Sequence, residues 1–213
     1  LINKNEVINQ KHNLTNYKLP SLLTDSPSYA SLCCFFEADK CLSLLCKHID
    51  GGLKSDEMKQ TDNKGRSPIH FACAGGNLNI IRELDRAGFS FDDKDNEGCL
   101  PSHYASMADH LDVIKYLWTK GADIFSTSGP LADMSPLNVA CLYGNLDIVK
   151  FILESVCGEN QDSKEPNATT KRAMNITRRS FGQASLHFAC EGGHANVLRY
   201  LLSKSFVLNT QIN

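Results

Sequence analysis

No stretch of the 213 residues approaches the roughly eighteen consecutive apolar residues of a membrane-spanning helix, which leaves no candidate span. Charge of one sign is also scarce. Lys and Arg number 22 against 24 Asp and Glu, a net charge of −2, so the overall balance offers no electrostatic attraction to nucleic acid or to an anionic membrane. The motifs that announce common chemistries are missing: there is no phosphate loop, no zinc-protease helix and no serine nucleophile elbow. The opening LINKNEVINQ is polar and mixed and does not read as a secretory signal. Cysteine is present nine times, an odd count, in apolar settings such as LCCFF and HFACAGG; a reduced, intracellular chain is the expectation. The sequons at Asn13, Asn167 and Asn175 are read as chance matches.

What the chain does contain is an internal repeat. SPIHFACAGGNLNIIREL (67–84), LPSHYASMADHLDVIKYL (100–117), SPLNVACLYGNLDIVKFI (135–152) and ASLHFACEGGHANVLRYL (184–201) align column by column. His70, His103, Asn138 and His187 share one column, at spacings of 33, 35 and 49 residues; Ala72, Ala105, Ala140 and Ala189 share another. Each unit begins with turn-formers, as in Asp62-Asn63-Lys64-Gly65. Ser67-Pro68 then supplies a capping hydroxyl and a proline at the first helical position. A short helix runs to Gly75-Gly76, and a second carries Leu78, Ile80, Ile81 and Leu84 at helical spacing. One such unit cannot bury both its faces, so the units must stack.

Ser67-Pro68-Ile69-His70-Phe71-Ala72, at a period of 33, resembles the T-P-L-H-x-A pattern of the ankyrin repeat. The resemblance covers residues 61 to 209 and implies an all-α solenoid of stacked helix-turn-helix units joined by β-turn loops. It departs from the pattern at Leu100 and Ser102, at Asn138, and at Ala184-Ser185. Four repeats are expected, at about 61–93, 94–126, 127–154 and 180–209. A divergent helical capping repeat at 28–60 precedes them, and a polar extension occupies 1–27. The spacing of 49 places a polar insertion at 155–179, read as a flexible loop that serves either as a basic docking element or as a solvated connection. The end at 210–213 reads as truncated, without a polar capping helix, so the array is expected to continue.

The resemblance implies binding of another protein through the concave face. Position by position, that face would comprise Asn63, Lys64, Arg66, Asn96, Glu97, Met107, Leu131, Met134, Leu142, Tyr143 and Glu191. Met107, Leu142 and Tyr143 form its apolar centre, and Lys64 and Arg66 a charged rim. The repeated histidines are expected to be structural. Cys33, Cys34, Cys41, Cys46 and His48 match no zinc-ligand spacing. Cys73, Cys141 and Cys190, which share a column, are expected to be buried. No catalytic residue, cofactor or metal is expected. The function implied is a protein-interaction scaffold; the alternative is a regulatory ankyrin segment of a longer enzyme or channel.

Overall fold

The computed structural model describes residues 25–126, 134–156, 158 and 185–204. These form ten α-helices in five antiparallel pairs, with no extended strand among the described residues. The first helix of each pair is α1 (Tyr29–Phe35), α3 (Pro68–Gly75), α5 (Pro101–Ala108), α7 (Pro136–Tyr143) and α9 (Ser185–Glu191). The second helices are α2 (Asp39–His48), α4 (Leu78–Arg86), α6 (Leu111–Thr119), α8 (Leu146–Lys150) and α10 (Ala195–Leu202). Each first helix packs against the next first helix, which makes one row of the stack. The expected insertion at 155–179 lies almost wholly outside the described residues, as do most of the extension at 1–27 and all of 210–213.

Local chemistry sets the first helices. Ser67 caps α3, and His70, three residues on, accepts the Ser67 amide hydrogen at Nδ1 over 3.1 Å. His103 does the same for the Leu100 amide, also at 3.1 Å, although Leu100 has no hydroxyl to return the contact. With Nδ1 an acceptor, Nε2 carries the hydrogen and reaches the next unit. His70 Nε2 donates to the Cys99 carbonyl (3.3 Å) and His103 Nε2 to the Met134 carbonyl (3.2 Å). One imidazole thus closes its own helix start and fastens the following turn. Burial lowers the pKa of both rings, that of His103 to about 4, which keeps them neutral. Asn138, in the same column, accepts from Ser185 Oγ at 2.8 Å instead.

The residues capping α4, α6 and α8 reach back one unit. Asn77 donates to Asp39, His110 Nε2 to the Ala74 carbonyl (3.0 Å) and Asn145 to the Ser106 carbonyl (2.6 Å). Gly76 sits before such a cap with φ +91°, and a Cβ there would lie 2.5 Å from the His110 ring, so only glycine admits this contact.

The second-helix row carries a contact invisible in the family pattern. Tyr116 on α6 donates to Asp85 on α4 (2.8 Å), and Lys120, four residues later, pairs with the same carboxylate at 2.6 Å. Tyr200 on α10 donates to Glu154 (2.7 Å), and Lys204 pairs with it at 3.2 Å. Counted from the helix caps, the tyrosines and lysines occupy identical positions, but Glu154 stands one residue later than Asp85. The extra residue is taken up in a π-helical turn, Phe151–Val156, that continues α8.

The candidate partner-binding face

The turns before the first helices stack by backbone hydrogen bonds. Asp62 and Arg66 close one turn and Asp95 and Cys99 the next, with N–H to O distances of 3.1 and 3.0 Å. Within each turn the aspartate Oδ1 accepts two amides: those of Lys64 and Arg66 at Asp62, and those of Glu97 and Cys99 at Asp95. Asn96 joins the two turns, its amide donating to the Lys64 carbonyl (2.8 Å) and its side chain to the Asn63 carbonyl (3.2 Å). Asn63 and Asn96 are exposed at the tips, with Lys64 and Glu97 half-buried beside them. Lys64 lies 3.8 Å from Glu97 and 3.6 Å from Asp25, weak solvent-screened pairs.

Arg66 departs from its expected place on the rim. It is 3% exposed, with Nε on Asp62 at 2.7 Å, a terminal nitrogen on Asp25 at 3.0 Å, and its guanidinium 5.2 Å from the Phe71 ring centre. The planar fork is consumed inside the protein and ties the turn to the segment before it. Met134 is likewise only 4% exposed, part of the hydrophobic core, with its carbonyl accepting from His103 Nε2. Both are therefore unavailable to a partner. Leu131 lies outside the described residues.

At the C-terminal ends of the first helices, Met107 and Leu142 occupy the same column of neighbouring helices, half-buried against the core. Tyr143 beside them is 41% exposed, and Glu191 is exposed on α9. The structure thus brings Met107, Leu142 and Tyr143 to adjacent helix ends, α5 packing directly on α7.

The cysteine column divides. Cys73 and Cys141 are fully buried, and burial pushes both thiols up, Cys141 to about 12. Cys190 is exposed, contrary to expectation, and so is His187. Their column is covered in earlier units by the next first helix, and no described helix follows α9–α10. Burial in a stack is a property of the neighbour as much as of the residue. Among the described residues no three His, Cys, Asp or Glu side chains converge to hold a metal ion, and no helix is long and apolar enough to cross a membrane.

No curated protein matches the chain. The family described as ankyrin repeats (3 copies) matches residues 31–128 and 126–212, together most of the sequence. Repeats of this family generally mediate protein–protein interaction and are typically non-catalytic. The helix pairs, their histidine caps and this match make the chain a member of the ankyrin-repeat family.

Proposed function

We propose that the chain is a non-catalytic scaffold that binds a partner polypeptide across the turn tips and the C-terminal ends of the first helices, centred on Met107, Leu142 and Tyr143. The observation that carries this is Tyr143, a large aromatic side chain 41% exposed next to two half-buried apolar ones. Its exposure adds nothing to the stack, whereas covering it returns about 25 cal/mol per Å² of apolar area. Tyrosine is also a frequent interface anchor, with truncation costing about 2 kcal/mol or more. Asn63, Lys64, Asn96 and Glu97 form the polar rim of this surface, and Glu191 stands at its far end. Neither nucleic acid nor a membrane is the partner in this reading, consistent with a net charge of −2. Its setting is intracellular, consistent with the free core thiols of Cys34, Cys73 and Cys141.

The test replaces Leu142→Ala and Tyr143→Ser together and measures both the melting temperature and capture of the partner that the intact chain retains. Capture lost at an unchanged melt supports the interface. A melt lowered by many degrees assigns these side chains to the stack and removes the proposed centre.

A further inference from the structure

On the opposite row of helices, the junction between α2 and α4 holds a surface cavity of about 470 Å³. Its walls are the positions that form the tyrosine–lysine contact elsewhere. Cys46 on α2 has the place of Asp85. Glu83 on α4 has the place of Tyr116 and Tyr200, and Ala87 the place of Lys120 and Lys204. Ser43 stands where Arg82, 5.7 Å from the Tyr116 ring centre, stands on α4. The tyrosine and lysine that meet an acid at two other junctions are absent from this one.

The lining fits what is missing. Leu53 and Ala87 give apolar walls, and the half-buried Cys46 thiol adds a soft surface between them. Glu83 is exposed and its carboxylate has no hydrogen-bond or ion-pair partner among the described residues, which leaves it an open acceptor for a phenol hydrogen. Lys54 and Arg86 also line it, cations of the kind that lie over Tyr116 and Tyr200. We propose that this cavity is a second docking site, which receives a tyrosine side chain from a partner polypeptide, with Glu83 rather than the cysteine at the acid's place taking the phenol hydrogen.

Cys46 makes the site measurable. The probe is the capped tripeptide Gly-Tyr-Gly, with capped Gly-Leu-Gly and free 4-ethylphenol as controls, added to the whole chain. The readout is the rate at which iodoacetamide alkylates Cys46, resolved by peptide mass spectrometry, with Cys41, exposed on the same helix and not lining the cavity, as reference. The tyrosine peptide at twice its dissociation constant is expected to slow Cys46 about threefold by mass action and to leave Cys41 unchanged. Slowing by 4-ethylphenol, the bare side chain, is expected as well; equal slowing by the leucine peptide, or no slowing by the tyrosine peptide, overturns the proposal. The double replacement Glu83→Tyr with Ala87→Lys supplies the missing side chains in cis. Folding confirmed by circular dichroism, it is expected to protect Cys46 without peptide and to remove the peptide's effect. Continued protection by peptide in that variant would also overturn the assignment.

Discussion

Tyr200 donates a hydrogen bond to Glu154 over 2.7 Å, although Glu154 stands one residue further from its helix cap than the acid that Tyr116 meets. The carboxylate also holds Lys204, whose side chain is 1% exposed and lies 4.9 Å from the Tyr200 ring centre. Tyrosine, lysine and acid form one unit that fastens α10 to the segment before it.

That unit has a measurable energy. Tyr200→Phe keeps the ring and removes the hydroxyl, and is expected to cost about 1 kcal/mol, the usual net worth of one hydrogen bond. A double-mutant cycle with Glu154→Gln in urea should return a coupling of that order; zero coupling would mean that the contact contributes nothing. The tyrosine hydroxyl and Lys204 hold Glu154 below its ordinary pKa of 4.5. Its contribution is therefore present above that value and lost as pH falls through the folded-state pKa.

The repeated imidazoles govern the response to mild acid. Burial holds His70 and His103 below the ordinary 6.5, His103 at about 4. The unfolded chain then binds protons that the folded chain refuses, so stability is full above pH 6.5 and falls toward pH 4. Each ring contributes a slope of up to about 1.4 kcal/mol per pH unit. Urea midpoints measured between pH 7 and 5 should show this fall, and His103→Asn should flatten it. A stability independent of pH across that range would be incompatible with neutral, buried rings.

Thiol chemistry should separate residues that the repeat makes equivalent. Under native conditions a bulky reagent is expected to modify Cys190 within minutes and to leave Cys73 and Cys141 unmodified until the stack opens, because only the first is exposed. Labelling of all three at one rate would contradict the burial described.

Arg66→Ala is expected to cost about 3–5 kcal/mol, since it leaves the fully buried Asp62 carboxylate without its cation. Calorimetry or urea unfolding measures the loss. A change below about 1 kcal/mol would place Arg66 among the ordinary surface residues after all.

The helices were legible because their determinants are local. Ser67-Pro68, Gly76 and the spacing of Leu78, Ile81 and Leu84 state a start, a stop and a buried face within one unit. The structural role expected of the histidine column is seen at His70 and His103, while His187 in the same column is exposed. Exposure was harder to read, because it depends on what lies across a junction. Arg66 looks like a turn-tip cation until Asp25, 41 residues earlier, is brought beside it. Cys190 looks like Cys73 until it is found exposed, with no further helix described beyond α10 to cover it. The tyrosine contact did leave a trace: Tyr116-Leu-Trp-Thr-Lys120 and Tyr200-Leu-Leu-Ser-Lys204 repeat one spacing. Their acids do not, since Asp85 and Glu154 differ in register by the residue that the π-turn absorbs.

That wide turn gives the junction of α8 with α10 a spare residue before its acid. Its helix reaches Tyr200 with one residue to spare, so where two side chains meet is fixed while the count of residues leading there is free. Deleting one residue from an ordinary helix rotates everything beyond it by about 100°. The same deletion at Phe151, Ile152 or Leu153 would bring the acid to the position, counted from the helix cap, that Asp85 holds. Loop edits are the usual way to vary the length of a solenoid unit; here the extra residue lies within a helix that still meets its neighbour through Glu154 and Tyr200.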